Sequence, residues 1–127
     1  MHYLLSSESP DIVCVSETWF NCEITDSCVL SNYPYNINRS DRIHFPGGGV
    51  CILNKRDSVN VVAVSVPQHV DCFDIRAVDT VGGATPVRFI TVCRPPSSDT
   101  DIDAVAAVRD LIKYCLNKLC SVDYTVV

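Results

Sequence analysis

One carboxylate in this sequence stands where an apolar run breaks off. Residues 12–15 are Ile-Val-Cys-Val, and the run stops at Ser16-Glu17-Thr18-Trp19. Such a run reads as a central strand, residues 11–17, covered on both faces in a layered α/β sheet. Open α/β sheets bind ligands in the crevice outside their strand ends. Glu17 is therefore a candidate site residue. It is equally the first solvated residue after a strand, and this stretch alone leaves both readings open. A second feature, Pro46-Gly47-Gly48-Gly49, invites a phosphate-loop reading. It lacks the Gly-Lys-Ser/Thr ending and no helix pattern follows it. A tight hairpin turn, with glycine supplying positive φ, is the simpler account.

Eight cysteines, at positions 14, 22, 28, 51, 72, 93, 115 and 120, raise the question of metal or disulfide chemistry. None forms a Cys-x-x-Cys pair and no histidine has zinc-finger spacing, so a zinc site has little support. Cys14, Cys51, Cys72 and Cys93 lie inside apolar strand patterns, and Cys115 lies on the apolar face of a helix. Free cysteine behaves as a small buried hydrophobe. The start of the chain has no basic segment and too short an apolar core for a signal peptide. Reduced core thiols and an intracellular location are the expectation.

The elements that must position these residues follow from patterning. Residues 2–8 resemble the last turns of a helix that ends before Pro10. Asp26-Ser27 could cap one short turn, and residues 33–38 run from a loop into a short strand. Strands are expected at 50–53, 59–66, 70–78 and 87–93, joined by short turns into an antiparallel meander. Together with 11–17 they are expected to share one sheet. In 87–93, alternation puts Val87, Phe89, Thr91 and Cys93 on one face. Residues 101–120 form a helix with Ile102, Val105, Val108, Ile112, Cys115 and Leu119 on one stripe. Its Thr100 and Asp103 fit a capping box. Asp99, Asp101 and Asp103 complement its positive end, which explains the acidic cluster without a metal. The stripe is expected to pack on the sheet's outer face. A strand opens at 124–127. The uncapped helix at residue 1 and the strand at the last residue lead to the expectation of a single domain over 1–127, incomplete at both ends.

Composition bounds the function. The chain has 127 residues, 47% of them hydrophobic and 20% charged, which is globular. Its net charge is −5, against the basic excess usual for non-specific phosphate binding. No apolar run approaches the roughly 20 residues of a bilayer-spanning helix, so no membrane partner is expected.

Several stretches together carry a resemblance. Pro10-Asp-Ile-Val-Cys-Val-Ser-Glu-Thr-Trp19, Tyr33-Pro34, Arg39-Ser-Asp-Arg42 with Gly47-Gly-Gly-Val50, and Arg94-Pro-Pro-Ser-Ser98 follow one another in order. The chain resembles the endonuclease/exonuclease/phosphatase superfamily. More narrowly, it is similar to the apurinic-type endonuclease domain of non-long-terminal-repeat retrotransposons, which precedes a reverse transcriptase. The resemblance implies the N-terminal part of a four-layer α/β sandwich, with two mixed sheets face to face and helices outside. It implies Mg²⁺-dependent hydrolysis of a DNA phosphodiester, the nicking step that primes reverse transcription. Glu17 matches the metal-binding glutamate. Arg39, Arg42 and Arg94 are phosphate-contact candidates, with salt-bridged or solvated arginines as the plainer alternative. The family's tyrosine before Arg-Pro-Pro is here Cys93, a weaker donor. The family's upstream asparagine, its Gly-Asp-Phe-Asn block and its Asp-His pair fall outside residues 1–127. The expectation is a fragment, inactive by itself. A non-catalytic remnant and another phosphoesterase of the superfamily remain as alternatives.

Overall fold

The computed structural model describes residues 1–43, 46–65, 73–94, 106, 108–113 and 125–126. A π-helical turn, Leu4–Glu8, leads into strand β1 (Ile12–Ser16), and a short helix α1 (Asp26–Leu30) precedes β2 (Tyr35–Ser40). Then come β3 (Val50–Lys55), β4 (Asn60–Val64), β5 (Asp74–Val81), β6 (Val87–Cys93) and the two-residue β7 (Thr125–Val126). Residues 106 and 108–113 are helical.

The strands form two sheets. One has the order β1-β3-β2, all antiparallel. The other runs β4-β5-β6-β7, antiparallel except for the parallel β6–β7 pair. The sheets face each other, with β3 across from β5 and β6, β1 across from β6, and β2 across from β5. The single sheet expected over 11–17, 50–53, 59–66, 70–78 and 87–93 is therefore divided. The first two belong to one layer and the last three to the other. The break falls after β3, where Ser58 and Val59 turn back onto the Lys55 carbonyl and the Asn54 amide holds the Val59 carbonyl at 2.8 Å. Alternation fixes which residues share a face, not which strand becomes the partner. Residues 66 and 70–72 of the expected strands lie outside the described residues, as do His44 and His69.

The covered central strand is β3, not β1. Val50, Cys51, Ile52 and Leu53 are all 0% exposed, whereas β1 is an edge among the described strands and its Cys14 is exposed. Cys14 thus departs from the expected buried thiol, while Cys51 and Cys93 are buried. Burial pushes the Cys51 thiol up to about 11.

Register explains the main core. Val13, Leu53 and Ile37 are aligned across the three strands, as are Val15 and Cys51. They share a face, because residues directly opposite in a ladder point the same way. That face gathers Leu5 from the π-helical turn, Leu30 from α1, and Tyr35. The Tyr35 hydroxyl donates to the Pro10 carbonyl at 2.6 Å, which satisfies its one polar atom. The cap of α1 is Thr25, whose hydroxyl accepts from the Cys28 amide, while Asp26 occupies the first turn. The opposite face of the sheet, toward β5 and β6, is more polar. Arg76 reaches Asn38 at 3.5 Å across the sandwich.

The helical segment shows a rotated face. Leu111 is 5% exposed, but Ile112, expected in the packed stripe, is 52% exposed. Positions three and four apart both lie on the same side of a helix. A one-residue rotation therefore exchanges Ile112 for Leu111 while Val108 stays half-buried. Ile102, Val105, Cys115 and Leu119 lie outside the described residues. The consequence is measurable by urea denaturation. Leu111→Ala should cost about 2–5 kcal/mol, the range for truncating a buried leucine. Ile112→Ala should stay within about 0.5 kcal/mol.

Candidate active site at the end of strand β1

The chain leaves β1 by an unusual path. Glu17 and Trp19 both have left-handed backbone, with φ of 56° and 57°. This conformation is costly for residues bearing a Cβ, and it is found where surrounding structure over-determines it. Two backbone bonds supply that constraint: Thr18 N–H to the Gly49 carbonyl at 3.2 Å, and Trp19 N–H to the Gly48 carbonyl at 2.8 Å. The glycine run is thereby laid against residues 18 and 19. It belongs to the connection between Ser40 and Val50, the closing pair of the β2–β3 hairpin. That connection is longer than the tight turn the sequence suggests. Gly48 has φ 74°, and a Cβ there would fall on the Arg42 guanidinium. Positive φ and close approach both require glycine at this position.

The Glu17 carboxylate sits in this frame, exposed to solvent. Its Oε1 accepts from the Cys93 thiol at 2.7 Å. Its Oε2 accepts from the Gly48 amide at 3.1 Å and from the Trp19 indole N–H at 3.1 Å. The Cys93 bond foremost, then the Gly48 amide, holds the carboxyl below its ordinary value of 4.5. Cys93 ends β6 and is buried. Burial first, and then the Glu17 hydrogen bond, pushes its thiol up. At neutral pH the pair is a carboxylate and a neutral thiol donor, not a thiolate nucleophile.

Arg42 closes the far side. Its Nη2 lies 2.5 Å from Asp74 Oδ2 and 3.7 Å from Cys93 Sγ. The hydrogen bond to Asp74 raises the Arg42 pKa further. Asp74 opens β5 directly opposite Cys93 in the ladder, and it also accepts from the Gly49 amide at 2.9 Å. The adjacent amides of Gly48 and Gly49 thus bind two different carboxylates. Oriented backbone amides of this kind form an anion-binding concavity. Here the anions are the protein's own. Asp74 is the residue that sequence reasoning missed. Its one signal is an acidic residue on the polar side of a half-alternating strand pattern, beside Arg76 two positions on.

The candidates named from the sequence separate. Glu17, Cys93 and Arg42 come together. Arg39 does not join them. Its guanidinium donates to Asp41, to Asp26 and to the Ile24 and Asn21 carbonyls, and it lies 5.0 Å over the Phe20 ring. All its N–H groups are engaged within the fold, so none is left for a phosphate. Arg94 is exposed just past Cys93, and Pro95 to Ser98 lie outside the described residues.

The donor set bears on a metal. Among the described residues no group of three or more histidine, cysteine, aspartate or glutamate side chains could hold an ion. Asp74 is committed to Arg42 and Gly49. Glu17 Oε2 takes two donors, but Oε1 takes one and keeps a lone pair open toward solvent. An ionised, exposed carboxylate of this kind fits one position of a largely hydrated Mg²⁺ and no more.

No protein-family model matches the chain, and no curated protein matches it. Among solved structures it is similar to a humanised D. rerio TDP2 carrying 14 mutations, with TM-score 0.56 and 12% identity. The likeness covers 96% of this chain and 52% of that one. The chain therefore spans about half the length of the solved structure it matches. At this identity the likeness is one of fold. Among the described residues it is a mixed α/β fold with two sheets and few helices.

The electrostatic arrangement has a direct test. Cys93→Ala removes the foremost cause of the low Glu17 pKa, so carbon-detected NMR should show the Glu17 titration moving up toward 4.5. A group with a depressed folded pKa stabilises fully above its unfolded value and loses that stabilisation as pH falls through the folded one. The acid-side loss of stability attributable to Glu17, below pH 4.5, should accordingly be smaller in Cys93→Ala. An unmoved titration would show that the thiol does not donate to Glu17 in solution.

Proposed function

We propose that the chain carries part of a Mg²⁺-dependent phosphodiesterase site of the endonuclease/exonuclease/phosphatase superfamily. Within it we favour the retrotransposon endonuclease branch acting on DNA. The fold likeness to TDP2 supports the superfamily part of this reading. The observation that carries the reading is the Glu17 carboxylate at the end of β1. It is exposed and held ionised, one hydrogen bond from the residue that ends β6. The Arg39-Ser-Asp-Arg42 and Gly47-Gly-Gly49 stretches favour the branch, and Arg42 and Gly48 are the parts of them that frame the carboxylate.

Glu17 would be the residue to hold the ion. When bound, Mg²⁺ supplies charge stabilisation at the phosphoryl oxygens and the leaving oxygen. The chain's own groups do the rest. The Gly48 amide and Trp19 indole fix the carboxylate's orientation. Arg42 places a guanidinium behind Cys93, where it neutralises Asp74 and leaves the Glu17 side exposed. The Cys93 thiol keeps its proton and stands as a weak donor.

The same chemistry argues that the chain alone does not turn over. Activating water needs a base whose pKa lies near the working pH. Glu17 lies well below that range, Cys93 is pushed above it, and Asp74 is tied to Arg42. One carboxylate holds Mg²⁺ weakly because the ion gives up its waters reluctantly. A net charge of −5 further slows the approach of DNA. Two measurements test the reading together. Mg²⁺ titration should give saturable NMR shifts centred on Glu17 and Cys93, abolished by Glu17→Gln. Supercoiled plasmid with Mg²⁺ should be nicked no faster with the chain than without it. Turnover that Glu17→Gln abolishes would overturn the inactivity. Absence of any Mg²⁺ response at Glu17 would overturn the metal assignment.

A further inference from the structure

Trp19 is the chain's single tryptophan, and the residue is 64% exposed. A lone exposed hydrophobe needs no explanation. This one is held in place by four separate constraints. Its backbone has φ 57°. Its amide donates to the Gly48 carbonyl at 2.8 Å. Its indole N–H donates to Glu17 Oε2 at 3.1 Å. Its ring lies over Gly47, where an added Cβ would come within 3.2 Å of Cζ2. An exposed side chain ordinarily keeps its rotamer freedom. Here strained backbone and a glycine are used to immobilise an aromatic plane in water, with its polar edge on the candidate site's carboxylate.

We propose that Trp19 is a stacking platform for the nucleobase adjoining the phosphate that Glu17 serves. The proposal rests on the phosphodiesterase reading above and names what lies beside the phosphate. Base–aromatic stacking needs an accessible π face, and it tolerates any base sequence. A base that stacks on protein must first be unstacked from its neighbours, so the ligand is a single-stranded or locally opened nucleic acid. Charge points the same way. With a net charge of −5 the chain gains little from phosphate electrostatics, so an uncharged contact carries a larger share of binding. The indole and the Glu17 carboxylate share one hydrogen bond, which places the base contact one sugar's reach from the phosphate contact.

The single tryptophan makes the test specific. The chain is titrated, with Mg²⁺ present, with a short thymidine oligonucleotide and with an abasic deoxyribose-phosphate oligomer of equal length and charge. The thymidine oligomer should quench Trp19 fluorescence and bind about tenfold or more tightly than the abasic one, the scale of one base stack. In anisotropy with labelled oligomers, Trp19→Leu should lose that advantage, weakening the thymidine oligomer beyond any loss it causes for the abasic one. Trp19→Phe, which equally lacks the indole N–H held by Glu17, should keep most of the advantage. Equal affinity for the two oligomers overturns the platform. So does an equal loss of both in Trp19→Leu, which would mean that the indole only positions Glu17. If the abasic oligomer binds in a Glu17-dependent way and Trp19 is indifferent, the platform falls and the phosphodiesterase reading stands. If neither oligomer binds, both fall.

Discussion

The arrangement of the candidate site depends on how a glycine run is stitched to the end of a strand. Thr18 and Trp19 pair with the carbonyls of Gly49 and Gly48, which extends the β1–β3 ladder past the point where β1 stops. The carbonyls of those glycines thereby face residues 18 and 19, and their amides bind Glu17 and Asp74. One short backbone segment thus serves two purposes. It fixes a strained exit from β1, and its amides donate to two different carboxylates, Glu17 and Asp74. Any side chain at Gly48 would collide with Arg42, so the stitch and the charge arrangement are mutually dependent.

Charge is balanced across the two sheets and not within either. Glu17 and Arg42 belong to the first layer and its connection, Asp74 and Cys93 to the second. The pairs Arg42–Asp74 and Glu17–Cys93 cross the sandwich at its rim. A half-buried ion pair of this kind offsets part of its own desolvation only when its remaining donors and acceptors are occupied. The Gly49 amide and the Cys93 sulfur fill that role. Among the described residues, the exposed carboxylate of this rim network is that of Glu17.

Much of this was legible in the residues, and the remainder has identifiable reasons. The bounds of β6 match the apolar run at 87–93, because Arg94-Pro95 stops a strand chemically. The positive φ of the glycine run was legible for the same kind of reason. The carboxylate at the strand end was visible because a buried run ends there. The division into two sheets was not visible, since period-2 patterning carries no information about long-range partners. The central place of β3 over β1 was also hidden, because both segments are short apolar runs and differ only in how many neighbours they acquire. Arg39 and Arg42 look equivalent in Arg-Ser-Asp-Arg. Only the fold sends one into α1's surroundings and the other to Asp74.

The hydrogen bond between Glu17 and Cys93 joins residues 76 apart in the chain. Contacts of such separation pay their loop-closure entropy before they return any stabilisation, so they belong to the late part of folding. During synthesis at about 5–20 residues per second, the carboxylate would wait roughly 4–15 seconds for its thiol to be made. Through that interval Glu17 lacks the foremost cause of its low pKa, and only the Gly48 amide and the Trp19 indole, both from the first sheet and its connection, are there to hold it. The site's electrostatic character is thus completed only when the second sheet docks, and a nascent chain carries Glu17 without part of the environment that defines it.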